Sequence, residues 1–277
     1  MRLSLTAWSL RACTLHEAVA IARALGLDAL DLGYFYGPAL DKMALLREPE
    51  RMAERVRVLG VAMPCLYHLF GATLGDRNLA DPRHRADNER DFAQVAQFCR
   101  AAGIGTVFVL PGICNPAQGR GDALRQSAES LRRLLPIAAN ARLRLSVEPH
   151  VHSYLESPAM TLDLLGEVPG LALTLDYAHF VCLGWRQDEI DVLAPHAAHV
   201  HLRQARPGAL QTKFAEGTIN VPAQLATLRQ AGFGGHVALE VVHQDYMATL
   251  YDDVLTETIA LRDAVRAWLG AEGVRDT

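Results

Sequence analysis

The sequence lacks the long apolar runs and the paired cysteines that mark several common protein classes. No hydrophobic stretch approaches the roughly 18 to 20 residues that a membrane-spanning helix needs, and Arg11 interrupts the apolar opening segment. The five cysteines are scattered and never stand in CxxC spacing, which is typical of free thiols and excludes a zinc finger. We therefore expect a cytoplasmic protein that does not act at a membrane.

Excess basic charge and phosphate-binding glycine loops are also missing. The formal net charge is -4 and the pI is about 6.3, so no overall positive field is available to hold a nucleic acid. GxGxxG does not follow the first apolar run, and GxxxxGK[ST] occurs nowhere. These absences argue against a nucleic-acid partner and against an open, doubly wound sheet that binds nucleotides.

The sequence does contain an alternation of short apolar runs with amphipathic stretches. The predicted strands are 2–9, 28–33, 60–66, 105–110, 143–148, 171–176, 198–203 and 236–242. The predicted helices, with apolar residues at three- and four-residue spacing, are 14–25, 49–58, 87–103, 122–139, 158–166, 187–194, 221–231 and 249–268. Strands and helices that alternate in this number predict an α/β fold, a single (β/α)8 TIM barrel.

Nothing in the sequence divides the chain into smaller units. There is no Pro/Ser-rich linker and no block of like charge, and 277 residues fall within the usual size of one such barrel. We predict one domain over 1–277. Its last residues, about 269–277, are small and polar and are expected to form a flexible tail.

Four polar residues each follow or end an apolar run in the second half of the chain. They are Glu148 in LRLSVEPH, Asp176 in LALTLDYAHF, His201 in HVHLRQA and Glu240 in HVALEVV. The C-terminal ends of parallel barrel strands meet at one mouth, where three carboxylates and an imidazole could hold a divalent cation. The alternative for each carboxylate is that it pairs with an arginine or caps the next helix.

Three histidines near these strand ends are further candidates. His199 and His201 lie two residues apart and face the same side of a strand. His201 is closer to the mouth and is the predicted ligand, whereas His199 is expected to form a hydrogen bond in the core. His179 and His150 follow strand ends in loops, so we predict that both face the substrate.

The four strand-end segments, together with EGTIN after HVHLRQA, resemble the xylose-isomerase-like TIM-barrel superfamily, specifically its sugar isomerase and epimerase branch. The likeness covers nearly the whole chain. It implies that Glu148, Asp176, His201 and Glu240 hold one metal ion, and that the two glutamates remove and return a proton beside a carbonyl. It also implies a small carbohydrate or related hydroxy-ketone as substrate, and a homo-oligomer.

The expected ligand set indicates which cation would bind. Oxygen ligands with a single imidazole suit Mn²⁺ or Mg²⁺, and they are compatible with Co²⁺ or Zn²⁺. Mn²⁺ is our first choice. Such a cation would polarise the substrate carbonyl and stabilise an enediolate, while Glu148 and Glu240 act as the acid and base.

Three other functions remain open at this stage. The same site could serve a lyase or dehydratase that eliminates a leaving group from a keto-sugar or keto-inositol. A barrel that binds a sugar without turnover is a further alternative. The superfamily also contains endonucleases of the apurinic-site type, whose strand-three histidine is matched by His68. However, Leu110 stands where their strand-four motif has histidine, and their Asp-x-His is missing.

His68 is then either a substrate-binding histidine or a loop residue with its hydrogen bonds satisfied. The loop after the seventh strand also departs from many relatives, which carry HLKD where this chain has His201 to Gln204. Arg203, and after it Arg206 and Lys213, could bind a carboxylate, a phosphate or hydroxyls. Alternatively, this loop is solvated. Arg203 is the residue that we predict to contact the substrate.

Overall fold

The computed structural model describes residues 1–34, 40–243, 249 and 253–273. Its strands are β1 Arg2–Thr6, β2 Leu30–Asp31, β3 Cys65–His68, β4 Thr106–Val109, β5 Arg144–Val147, β6 Ala172–Asp176, β7 Ala197–Leu202 and β8 His236–Leu239. All paired strands are parallel, in the order β2-β1-β8-β7-β6-β5-β4-β3. The isolated parallel bridges Ala29↔Ala62 and Leu32↔Leu66 join the two edges. This nearly closed sheet confirms the predicted (β/α)8 TIM barrel.

Helices connect the strands around the outside of the barrel. They are α1 Leu15–Ala24, α2 Lys42–Arg47, α3 Pro49–Arg57, α4 Arg85–Ala102, α5 Arg120–Asn140, α6 Pro158–Glu167, α7 Tyr177–Val181, α8 Gln187–Ile190, α9 Val221–Gln230 and α10 Val254–Gly273. At the start of several helices, a polar side chain accepts a hydrogen bond from a backbone N–H of the first turn. Thr14, for example, forms a reciprocal capping box with Glu17. Among the described residues, no helix is long and apolar enough to cross a membrane.

Some predicted bounds differ from those observed. The third strand lies at Cys65–His68 rather than 60–66, because Pro64 lacks the N–H that a ladder hydrogen bond requires. The first strand ends at Thr6, where a 3-10 helix, Ala7–Leu10, begins. The last helix continues to Gly273, into the segment predicted as a tail. Residues 274–277 lie outside the described part, so tail flexibility stays a prediction.

Apolar side chains fill the space between the barrel and its helices. On α4, Phe92, Val95 and Cys99 are fully buried and face the core. Burying one such aromatic side chain contributes roughly 1.5–3 kcal/mol to folding. All five cysteines are free thiols, as predicted. The packed layer makes the strands a rigid support for the groups at their C-terminal ends.

Candidate metal centre and active site

The strand ladder itself brings the four predicted strand-end residues to one end of the barrel. Glu148 directly follows β5, and its backbone N–H donates to the Val109 carbonyl of β4 at 3.1 Å. Asp176 ends β6 and pairs in register with His201 of β7. Glu240 follows β8, and its N–H donates to the Leu202 carbonyl at 3.0 Å. Backbone hydrogen bonds therefore set the spacing of these residues before any side chain is considered.

Their side chains converge on one buried point. One ligand atom from each of Glu148, Asp176, His201 and Glu240 lies within 4.8 Å of the others. His201 Nδ1 is 2.7 Å from Glu148 Oε1 and 3.4 Å from Glu240 Oε2. All four are buried, and Glu240, the most exposed, keeps only 7% of its surface accessible.

Arg203 lies inside this cluster. Its Nε and Nη2 donate to Asp176 Oδ2 at 2.9 and 2.6 Å, and Nη2 is 3.3 Å from Glu240 Oε2. Asp176 Oδ1 accepts the Ala178 N–H at 2.8 Å and thereby caps α7. Both alternatives considered for a strand-end carboxylate, an arginine partner and a helix cap, thus apply to Asp176. It nevertheless remains within the four-residue cluster.

Two glutamine side chains in the loop after β7 form buried hydrogen bonds rather than pointing into solvent. Gln204 donates to the Ile219 carbonyl at 2.8 Å, and Gln211 donates to the Val242 carbonyl at 2.8 Å. Arg203 is 4% exposed. The solvated-loop alternative is therefore wrong for these three residues, although Arg206 is exposed.

Burial and mutual charge shift the proton affinities in the cluster. Burial, reinforced by Glu240 and Asp176, raises the pKa of Glu148 to about 7 despite its contact with His201. Burial alone would lower the pKa of His201, but the carboxylates of Glu240 and Glu148 raise it to about 9. Without a bound cation, both shifts favour a proton shared by Glu148 and His201, because the buried carboxylates carry more negative charge than Arg203 offsets.

The residues present fit a divalent cation. With all carboxylates ionised, three negative charges against the one positive charge of Arg203 leave two negative charges, which a divalent ion would balance. Glu240 Oε2 is buried and has no hydrogen-bond partner among the described residues, so it is available as a ligand atom. Carboxylate oxygens and one imidazole nitrogen are suitable donors for such an ion.

A cavity of about 500 Å³ opens beside the cluster. Its polar lining residues are Glu148, His150, His152, Thr73, His179, Arg203 and Glu240, and its larger apolar or aromatic ones are Trp8, Tyr67, Leu69, Leu74, Leu110, Ile113 and Leu210. Trp8 Nε1 donates to Glu240 Oε1 at 2.6 Å and so fixes one oxygen of that carboxylate. Both glutamates are accessible from this cavity, so a small molecule inside it could reach them.

Three of the four predicted substrate-binding residues line the cavity. The rings of His150 and His179 are 4.1 Å apart between centroids, and Arg203 Nη2 is 3.1 Å from His179 Nε2. Burial lowers the pKa of His150 to about 4. It also lowers the pKa of His179 well below its usual value. Both imidazoles are therefore neutral near pH 7 and can donate or accept hydrogen bonds.

The fourth, His68, lies elsewhere. It ends β3, is fully buried, and its Nδ1 contacts the hydroxyl of Tyr34. It does not appear in the cavity lining, and it is a strand residue rather than a loop residue. Burial lowers its pKa to about 3. His68 therefore lies in the barrel wall, outside the described lining of this cavity.

Sequence reasoning missed two features of this region. His199 forms the core hydrogen bond that was predicted, but its partner, Asp31 of β2 with Oδ2 at 2.5 Å from His199 Nε2, was not foreseen. The apolar wall formed by Leu69, Leu74 and Ile113 was missed as well. The available signal was the position of LFGATLG and LPGIC directly after β3 and β4.

Comparison with known proteins agrees with the barrel fold. L-ribulose-5-phosphate 3-epimerase UlaE of Salmonella paratyphi C (strain RKS4594) is 24% identical over 93% of this chain and 91% of its own length. A solved L-ribulose 3-epimerase superposes with a TM-score of 0.74 at 18% identity, covering 99% of this chain and 96% of that one.

The structure of the IolI protein with a bound zinc atom also superposes with a TM-score of 0.74. It is 17% identical and covers 96% of this chain and 98% of that one. The family profile described as xylose isomerase-like TIM barrel matches residues 19–267. The chain belongs to the xylose isomerase-like TIM barrel family.

Proposed function

We propose that this protein is a divalent-metal-dependent epimerase or isomerase of a small sugar or related hydroxy-ketone. The observation that carries the proposal is the pair Glu148 and Glu240. Both carboxylates border the same cavity, and both belong to the four-residue cluster that fits a cation. The sugar epimerase that resembles the chain over nearly its full length supports the same substrate class.

Proton transfer is the role that suits these two residues. Glu148 and Glu240 reach the cavity from β5 and β8, which are separated in the sheet by β6 and β7. One carboxylate can remove the proton from the carbon beside the substrate carbonyl, and the other can return a proton to that carbon or its neighbour. A carboxylate positioned within hydrogen-bond reach of the transferred proton is a suitable acid or base for such a step.

The other residues hold the reacting groups in place. Glu148, Asp176, His201 and Glu240 would hold the cation, with Mn²⁺ as our first choice, and the cation would supply Lewis-acid polarisation of the carbonyl. Trp8 fixes one oxygen of Glu240, and Arg203 fixes Asp176. His150 and His179 line the cavity and would form hydrogen bonds with substrate hydroxyls.

Two measurements test the proposal on the full chain. The metal content of the purified protein is determined first by mass spectrometry. Solvent-deuterium incorporation into a panel of ketoses is then followed by NMR with Mn²⁺ added and with chelator added. We expect deuterium at the carbon beside the carbonyl with the carbon skeleton retained, and we expect chelation to abolish it.

The alternative outcomes separate the other functions. Loss of water or of a leaving group would indicate a lyase, because an enediolate with an adjacent leaving group can expel it. Tight sugar binding without any exchange would indicate a binding protein. Exchange that persists after complete metal removal would contradict metal dependence while leaving proton transfer in place.

A further inference from the structure

Arg203 is the one arginine or lysine in the described cavity lining, and its side chain already contacts buried residues. Arg203 directs two nitrogens at Asp176, and its Nη2 also lies near Glu240 and His179. A phosphate group is normally held by arginine or lysine donors that are free to point at it. Nε and Nη2 of Arg203 are therefore already directed at buried partners, and the carboxylates of Asp176 and Glu240 offset the positive charge that a phosphate would need.

Other cations near the mouth of the barrel, in loops and at helix starts, either have partners or lie outside the cavity lining. Lys42 Nζ donates to the carbonyls of Leu69, Phe70 and Gly71 at 2.5, 2.6 and 3.0 Å, and so holds the loop after β3 in place. Arg77 is 2.8 Å from Asp91, and Arg120 is 2.6 Å from Glu156. Arg206 and Lys213 are outside the cavity lining.

The internal segments outside the described residues contain no basic residue. Residues 35–39 read FYGPA, 244–248 read QDYMA and 250–252 read LYD. None of them contains lysine or arginine. The loops after β2 and β8 therefore add no basic side chain from these segments.

The cavity offers apolar surface on the side formed by the loops after β3 and β4. Leu69, Leu74 and Ile113 are all partly buried, and all three line the cavity; we call them the apolar wall. Tyr67 adjoins the wall and stacks on Phe108 with ring centroids 4.4 Å apart. A ligand that covers apolar surface of this kind removes it from water, and this contributes favourably to the free energy of binding.

The apolar wall is held rigidly by close contact between its two loops. Asn78 Nδ2 donates to Asn115 Oδ1 at 3.0 Å, which ties the loop after β3 to the loop after β4. Gly112 has φ +102°, and a Cβ there would lie 2.7 Å from Asn78 Oδ1. A Cβ at Gly75 would lie 3.1 Å from Ile113 Cδ1. Such a wall loses little conformational entropy when a ligand binds.

We propose that the substrate is not a phosphate ester, and that it carries an apolar group which contacts the wall formed by Leu69, Leu74 and Ile113. This inference rests on the proposed function, since it assigns the substrate class of the same site. Glu148 and Glu240 act at the carbonyl end of the substrate, and the far end lies against the apolar wall. In this respect the chain differs from its relative that acts on L-ribulose-5-phosphate.

A matched set of three ligands tests the substrate class. The set is a 2-ketohexose, its 6-phosphate and its 6-O-butyl ether, and binding to the Mn²⁺-loaded full chain is measured by titration calorimetry. We expect the ether to bind at least about tenfold tighter than the free ketose, because several methylenes leave water. We expect the phosphate to bind at least about tenfold more weakly, because the charge on the one arginine in the described cavity lining is already offset by buried carboxylates and does not compensate the dehydration of the phosphate.

The order of the three binding affinities, rather than the rate of deuterium exchange, decides whether the inference holds. A phosphate ester that binds as well as the free ketose, an ether without gain, or no binding by any member overturns it. Deuterium exchange is measured on the same samples. The expected ranking without exchange would contradict the proposed function, whereas exchange that is fastest on the phosphate ester would contradict only the substrate class.

A charge placed in the apolar wall gives an independent check. Ile113→Lys should reverse the ranking, so that the phosphate gains and the ether loses at least about fivefold in affinity, because the ammonium replaces apolar surface. Leu162→Lys, at a position 37% exposed on α6, is the matched control and should leave the ranking unchanged. If Ile113→Lys fails to fold by circular dichroism, Leu74→Lys takes its place. An unchanged ranking in a folded wall variant contradicts the inference.

Discussion

The two ends of the barrel hold their charged side chains in opposite ways. At the C-terminal end of the strands, a cavity of about 500 Å³ has Glu148, Glu240 and Arg203 in its lining. These groups are buried and pair with one another or with their neighbours, as Arg203 does with Asp176 at 2.6 Å. Their orientations are fixed before any ligand arrives.

At the N-terminal end, a larger cavity of about 870 Å³ is lined by Arg2, Arg142 and Arg144, and no aspartate or glutamate is among its described lining residues. These arginines are exposed. Their side chains form no hydrogen bond or ion pair with any residue that the structure describes. Burial and the charge of Arg2 lower the pKa of His236 on the same rim.

In this fold, therefore, the larger of the two cavities is not the one with buried, paired charges. The larger cavity has exposed charges, whereas the smaller one has buried charges at the ends of strands. In barrels of parallel strands, groups at the C-terminal ends converge on the mouth, while the opposite end mainly serves stability. Substitutions at the two ends should therefore differ sharply in effect.

The largest effect is expected from Glu240→Gln. The amide keeps the shape of the side chain and can still accept from Trp8 Nε1, but it cannot take up a proton. Loss of a positioned acid or base reduces the rate on the order of 10²- to 10⁴-fold. NMR deuterium exchange measures the rate, and thermal unfolding checks that the fold is intact. Wild-type exchange in the folded variant would remove Glu240 from its proposed role.

A large effect on stability is expected from Arg203→Met, with Arg144→Met as the matched control at the other end. Removing one partner of a buried ion pair costs about 3–5 kcal/mol, and Arg203 is only 4% exposed. Replacing an exposed, unpaired arginine changes the free energy of unfolding by less than about 0.5 kcal/mol. Urea unfolding of the metal-free variants measures both values.

Added Mn²⁺ sharpens this comparison. The cation should restore part of the stability of Arg203→Met, because it replaces positive charge between the carboxylates and binds only the folded state. Mn²⁺ should raise the free energy of unfolding of Arg144→Met by the same amount as that of the wild type. Equal losses in the two metal-free variants would mean that the two ends do not differ in the way described.

Much of the site could be predicted because it follows from strand direction. Glu148, Asp176, His201 and Glu240 each follow or end an apolar run, and in a parallel barrel that position is sufficient to bring them to one mouth. The predicted core role of His199 follows from the same two-residue periodicity, since it lies one layer below His201.

What could not be predicted depends on contacts between distant segments. Arg203 follows β7 in a polar stretch, and only the fold reveals that its guanidinium turns inward to Asp176. Because Pro64 lacks a backbone N–H, β3 begins after it, at Cys65, and extends to His68. His68 is therefore in the barrel wall rather than in the loop where the predicted strand 60–66 would have put it. The apolar wall arises because the loops after β3 and β4 contact each other, and no local pattern encodes that contact.

The smallest effect is expected from removing all three arginines of the larger cavity at once. In the triple variant Arg2→Gln, Arg142→Gln, Arg144→Gln, the exchange rate on a neutral ketose should stay within about twofold of wild type, since exposed surface substitutions rarely disturb a distant rigid site. The layer that contains His199 and Asp31 lies between that rim and His201, and it is already hydrogen-bonded at 2.5 Å without help from these arginines. A rate that falls more than about tenfold, in a variant that unfolds at the wild-type temperature, would mean that the N-terminal end takes part in the chemistry. The sharp division between the two ends would then have to be abandoned.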